Sequence, residues 1–85
     1  MANYRIEFRK SVEKDLRSIP QSGQIRILQR IGQLTDDPRP PLSKKLSGQD
    51  RYRIRQGNYR ILYEIKDDVL LVTVVKVGHR RDVYE

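Results

Sequence analysis

Arg51-Tyr52-Arg53-Ile54-Arg55-Gln56-Gly57-Asn58-Tyr59-Arg60 is the stretch that decides the fold. Tyr52 and Ile54 alternate with Arg51, Arg53 and Arg55, a period of two that suits a strand with one buried face. Three guanidinium groups then line one side while the tyrosine and isoleucine enter a core. Gln56-Gly57-Asn58 supplies turn chemistry, because Gly and Asn tolerate the positive φ of tight turns. Tyr59-Arg60-Ile61-Leu62-Tyr63-Glu64-Ile65 follows as the returning strand. Asp67-Asp68 supplies a second hairpin turn, and residues 69–77 form the most apolar strand, expected at the centre of a sheet and covered on both faces. The result is a three-stranded antiparallel meander.

Upstream, residues 3–8 alternate with Tyr4, Ile6 and Phe8 on one side and read as a first strand. Ser11 is expected to cap a helix by accepting from the open N–H groups of its first turn. Val12, Leu16 and Ile19 make that helix's apolar stripe, Pro20 ends it, and Ser22-Gly23 form the corner. Ile25, Leu28, Ile31 and Leu34, with Ile27 widening the face, carry a second helix that Asp36-Asp37-Pro38 stops. Residues 39–50 are the one long connection, stiffened at its start by Pro38, Pro40 and Pro41, and Leu46 anchors it towards the sheet. The order β-α-α-β-β-β predicts an α+β fold, with a helical hairpin packed on one face of a mainly antiparallel sheet. Residues 1–85 form one domain.

Size and composition narrow the function. Eighty-five residues with 36% apolar side chains build one core and not two. No apolar run approaches a membrane span or a signal segment, and there is no cysteine, so a soluble cytoplasmic protein is expected. Net charge is +7, and the isoelectric point is about 10.1. Lys44, Lys45, Arg51, Arg53, Arg55 and Arg60 face only Asp50 between residues 44 and 60. That imbalance points to a polyanionic partner, nucleic acid first and no membrane.

One histidine and no cysteine cannot assemble a zinc site, and a glycine-rich phosphate loop is missing, so neither metal nor cofactor is expected. Arginines and tyrosines remain. Arg53, Arg55 and Arg60 suit a phosphodiester, since rigid planar forks match its oxygens and stabilise charge that develops on them. Arg51, Lys44, Lys45 and Arg81 add RNA contacts that position without carrying sequence information. Arg80 is assigned a phosphate role beside them. His79 follows Gly78, and histidine is the side-chain type suited to carrying protons near neutral pH, which makes it the natural proton carrier. Tyr84, in polar company, can stack on a base or take part in proton transfer. Tyr52, Tyr59 and Tyr63 fall in apolar phase and belong to the core.

Four motifs stand in order: Lys45-Leu46-x-Gly48, Tyr52-Arg53-Ile54-Arg55, Gly57-x-Tyr59-Arg60-Ile61-Leu62-Tyr63 and Val77-Gly78-His79-Arg80-x-Asp82-Val83-Tyr84. Together they resemble the RelE/ParE superfamily of bacterial toxins, and its RelE branch in particular. The resemblance implies a toxin of a type II toxin–antitoxin pair that enters the ribosomal A site and cuts the messenger RNA there. The ribose 2′-hydroxyl would attack the adjacent phosphate, leaving a 2′,3′-cyclic phosphate, without metal. By position, Arg53 and Arg55 fall on the basic strand pair of the RelE branch and Arg60 on its phosphate-binding arginine. Arg80 falls on the arginine after the last strand, and Tyr84 on the C-terminal tyrosine. The strand pair is lysine in some relatives. Arginine stays protonated and is a poor base, so proton transfer shifts to Tyr84 or His79, or to the ribosome. The implied partners are the ribosome with its message and an acidic, RelB-like antitoxin that masks the cationic face.

Two alternatives remain open. A ParE-like toxin shares the scaffold but inhibits DNA gyrase. A non-catalytic RNA- or ribosome-binding module would bind with steep salt dependence and release no cyclic product.

Overall fold

The computed structural model describes residues 3–46 and 50–83. Period-two alternation produces strands β1 (Arg5–Phe8), β3 (Arg51–Gln56), β4 (Tyr59–Lys66) and β5 (Leu71–His79). Helices α1 (Lys10–Arg17) and α2 (Gln21–Gly32) lie between the first two of these. A further strand of two residues, β2 (Lys44–Lys45), was not foreseen in the long connection. It pairs antiparallel with β3, and the Leu46 amide continues the ladder to the Arg51 carbonyl at 2.8 Å. The sheet order is β1-β5-β4-β3-β2, with β1 parallel to β5 and every other pair antiparallel. The α+β expectation holds, while the middle of the sheet belongs to β4 and β5 lies beside it.

Both helices cover one face of this sheet. Val12, Ile19, Ile27, Ile31 and Leu34 meet Tyr52, Ile54, Ile61, Tyr63, Ile65, Val72, Val74 and Val77 in the main core. On the other face Leu62, Val75 and Val83 form a small second cluster, with Leu46 packed against it as expected of an anchor. A bulge at Leu62/Tyr63 lets β5 contribute the extra residue that this second cluster uses.

Several local expectations differ from the structure. Ser11 does not cap α1; Arg9 does, without a side-chain bond, because the Arg9 amide still donates to Val74 O and the ladder sets where the helix begins. Pro20 opens α2 rather than closing α1. Its carbonyl accepts the Gln24 amide, so Ser22 and Gly23 lie in the helix's first turn. The buried stripe of α2 is Ile27 and Ile31, continued by Leu34 in the 3₁₀ turn Gln33–Thr35, while Ile25 and Leu28 are 51% and 44% exposed. Three-residue steps drift about 60° each around a helix of 3.6 residues per turn, so Ile25 and Leu34 end on opposite sides. Phe8 has the right phase yet is 47% exposed, because the strand lies at the sheet margin.

The turns are also refined. Gln56 belongs to β3 and pairs with Tyr59, so the first hairpin closes through Gly57-Asn58 alone, with Gly57 at φ 59°. Glycine adopts that angle freely. The second hairpin needs four residues: a 3₁₀ turn at Asp67–Val69 and Leu70 at φ 50°. The Asp67 carbonyl accepts the Leu70 amide at 3.3 Å within this turn, while its carboxylate is engaged elsewhere. Arg39 grips it through two bonds of 3.0 and 2.8 Å, and Tyr4 donates to it at 2.6 Å. Arg39 also donates to the Tyr52 hydroxyl at 3.0 Å, and Tyr63 donates to Pro38 O at 2.7 Å. These bonds strap the proline-rich connection across the sheet end. Burial of Tyr63 pushes its phenol up to about 12.

The Arg39 and Tyr4 bonds hold the Asp67 carboxyl down at about 2, against 3.8 ordinarily. The folded chain therefore binds this proton less readily than the unfolded one. Its stabilising share is complete above about pH 4 and is lost as pH falls towards 2. Thermal melts across that window should steepen for the wild type and flatten for Asp67→Asn. Leu70→Gly relieves a left-handed leucine and should raise stability by up to about 1 kcal/mol in denaturant titration.

Candidate nucleic-acid interface

Strand pairing builds the cationic face. Across β3 and β4 the register sets Arg51 against Glu64, Arg53 against Leu62 and Arg55 against Arg60. Directly paired residues project to the same side, so Arg51, Arg53, Arg55 and Arg60 share the face away from the helices. Lys44 joins them opposite Arg53, whereas Lys45 is in phase with Tyr52 and the helix side. Arg53 is only 9% exposed and is the one buried charged residue among those described. Arg55 is exposed and Arg60 half-buried.

The charges on this face are not equivalent. Glu64 accepts from Arg51 at 2.7 Å and from Arg9 at 3.4 Å, so two guanidinium groups share one carboxylate. Among the described residues neither Arg55 nor Arg60 has an acidic partner. The Nε atoms of Arg51 and Arg60 are buried without a hydrogen-bond partner among the described residues. Such donors cost free energy and mark a place where geometry serves something besides stability. Positive charge is therefore partly offset near Arg51 and left without a counter-charge among the described residues where Arg55 meets Arg60.

The chain past β5 folds back over this end. The Arg80 amide donates to Asn58 O at 2.7 Å, and the Asp82 and Val83 amides donate to His79 O at 2.8 and 3.2 Å. Val83 is 1% exposed, packed on Leu62 and Val75, and its carbonyl accepts from Arg60 Nη1 at 3.0 Å. Arg80 and Arg81 are exposed. Arg80 thus sits beside the Gly57-Asn58 turn, close in the sheet to the Arg55–Arg60 pair. A hollow of about 340 Å³ opens nearby between Arg9, Arg51, Leu62, Val75, Lys76, Asp82 and Val83.

His79 is placed elsewhere. It pairs with Tyr59 on the helix side of the sheet, with ring centroids 6.0 Å apart. Its Nδ1 accepts the Arg81 amide at 3.3 Å, and it lines a separate hollow of about 330 Å³ with Asp15, Ser18 and Lys76. Tyr84 lies outside the described residues. The arrangement brings together Arg51, Arg53, Arg55, Arg60 and Lys44, with Arg80 at their margin, and leaves out His79, Lys45 and the Arg81 amide.

Three participants were missed in the sequence. Glu64 was legible once the turn was shortened to two residues, because counting back from Gln56–Tyr59 sets it against Arg51. Arg9 comes from the junction of β1 and α1, far along the chain, and no local pattern signals it. Val83 stands in a polar tail where a single apolar residue gives no period. Among the described residues no three histidine or carboxylate side chains gather as metal ligands. No described helix is long and apolar enough to cross a membrane.

Known proteins share this architecture. A family model described as the ParE toxin of the parDE type II toxin–antitoxin system matches residues 6–84. Toxin RelG of Mycobacterium tuberculosis is 31% identical, with 95% of each chain covered. The putative toxin RelE1 of Methanocaldococcus jannaschii is 30% identical, with 96% of each covered. The archaeal RelE–RelB complex from Pyrococcus horikoshii superposes at a TM-score of 0.84 and 30% identity, covering 95% of this chain and 99% of that one. Likeness of this extent, on a sheet that carries the arginine ribbon expected of the RelE branch, makes the chain a member of the RelE/ParE superfamily of type II toxin–antitoxin toxins, RelE-like within it.

Proposed function

We propose that the chain is a ribosome-dependent endoribonuclease that cuts messenger RNA in the A site. One observation carries the reading: Arg55 and Arg60 stand side by side across β3 and β4 with no carboxylate to neutralise them among the described residues. A structural surface would seldom oppose two like charges directly, because such pairs destabilise a sheet. A phosphodiester placed over them removes that repulsion.

In the proposed reaction the ribose 2′-oxygen bonds to the adjacent phosphorus and the bond to the 5′-oxygen breaks. A 2′,3′-cyclic phosphate and a 5′-hydroxyl result. The 2′-hydroxyl loses a proton and the departing 5′-oxygen gains one. Arg55 and Arg60 stabilise the added negative charge, Arg53 and Arg80 hold the flanking backbone, and Lys44 and Arg51 position it. Guanidinium groups keep their protons, so the proton leaving the 2′-hydroxyl and the one reaching the 5′-oxygen are carried by Tyr84 or a ribosomal group. His79 faces the helix side and takes no part. Solved relatives in complex with RelB support an antitoxin partner, and +7 on this chain favours an acidic one that docks quickly. Such a protein works in the cytoplasm, where its ribosomes are.

Purified protein added to a translating message should create new 5′-hydroxyl ends within codons, opposite 2′,3′-cyclic phosphates. Arg55→Ala should lower the single-turnover rate on the order of 10²-fold, the size of one lost charge-stabilising contact. An intact message with gyrase inhibited would transfer the chain to the ParE-like alternative, and ribosome binding without new ends to the non-catalytic one. Removing a true proton carrier costs on the order of 10²–10⁴-fold. His79→Gln should instead leave the rate and its pH profile unchanged.

A further inference from the structure

Val83 belongs to neither the proposed chemistry nor the main core, yet it is among the most completely buried side chains of the molecule. It is placed by three independent contacts. Its side chain sits on Leu62 and Val75, on the cationic side of the sheet. Its amide and that of Asp82 close a turn onto the His79 carbonyl. Its own carbonyl takes a hydrogen from Arg60 Nη1. Directly beneath it lies Gly78, in register with Arg60 on β4. A Cβ added at Gly78 would stand 2.7 Å from the Val83 Cγ2 methyl, closer than such atoms approach. Glycine is required there because the tail occupies the space a side chain would fill.

We propose that Val83 is a positioning residue: with Gly78 it forms a latch that docks the tail and holds the Arg60 guanidinium in one orientation on the cationic face. The inference rests on the reading of that face as a ribonuclease site. Arg60 Nε is buried and one Nη1 hydrogen is taken by the Val83 carbonyl, so Nη2 and the other Nη1 hydrogen are what remains for a phosphate oxygen. A free arginine would sample many rotamers; this one is tied at Nη1 by the Val83 carbonyl and enclosed at Nε. Valine suits the task because its branched Cβ is stiff at χ1, so the methyl over Gly78 cannot swing aside. The latch also fixes where the chain leaves the sheet, and Tyr84 is the next residue. Val83 touches no reacting atom in this scheme.

The test exploits the fit between Gly78 and Val83. Single-turnover cleavage and ribosome affinity would be measured for the wild type, Gly78→Ala, Val83→Ala and the double variant, alongside hydrogen exchange at the Asp82 and Val83 amides without ribosomes. Gly78→Ala should cut the cleavage rate by at least about tenfold, since displacements near 1 Å are already costly in a preorganised site. Affinity should hold and amide protection should fall. Val83→Ala alone should lower both cleavage and protection, since it removes the methyls that dock the tail. The double variant should recover most of both, because the new Cβ fills part of the space those methyls leave. Wild-type cleavage in Gly78→Ala would overturn the proposal, and so would a double variant no better than Gly78→Ala. If the wild type cuts nothing, the ribonuclease reading fails, and the latch is then judged by exchange alone. Unprotected Val83 and Asp82 amides in the wild type would end it.

Discussion

Two guanidinium-bearing residues face each other across β3 and β4, and the rest of the molecule keeps them there. Opposed like charges cost a sheet roughly 0.2–1 kcal/mol. The same two strands bury Ile54, Ile61 and Tyr63 completely on their other face, and each such side chain contributes roughly 1.5–3 kcal/mol. The core wins by a wide margin. Register is what couples the two faces, since a one-residue slip would turn the apolar set outward. The position of Arg55 against Arg60 is thus fixed by Ile54 against Ile61 immediately behind it.

Stability and the cationic face are kept at different places on the sheet. Near the β4–β5 hairpin, Arg39 joins Asp67 and Tyr52, and the Tyr52 and Tyr63 rings stack 5.9 Å apart beneath the proline-rich connection. There Asp67 is paired with Arg39, and the Tyr4 and Tyr63 hydroxyls donate to Asp67 and to Pro38 O. Near the Gly57-Asn58 hairpin, Arg55 and Arg60 meet with no acidic partner among the described residues. Glu64 marks the boundary, its one carboxylate shared between Arg51 and Arg9. A guanidinium bidentate on a carboxylate is a strong, geometrically specific pair; Arg39 makes one with Asp67, and among the described residues Arg55 and Arg60 make none.

How much of this was legible in the sequence follows from which forces are local. Alternation at residues 51–56 gave both strand and face correctly, because period two depends only on neighbours. The helical hairpin was legible too, but its boundaries were not. Arg9 and Pro20 open the helices because the sheet ladder and a backbone carbonyl decide the ends, and no side-chain signal records either. Ile25 and Leu28 misled because hydrophobicity alone does not say which stripe a single covering sheet will choose. The arginine ribbon was found, whereas Glu64 and Arg9 emerged only from cross-strand pairing. His79 was misgrouped with the arginines because adjacency in sequence hides the side of the sheet: Gly78 and His79 are neighbours that face opposite ways. Tyr84 lies outside the described residues.

The margins of the sheet have a consequence of their own. On one border stands a strand of two lysines, on the other a strand of four residues carrying exposed Arg5 and Glu7. Short borders with charged side chains are poor templates for another sheet to add itself to. Blunt borders of this kind weigh against one copy adding its sheet edge to the edge of another.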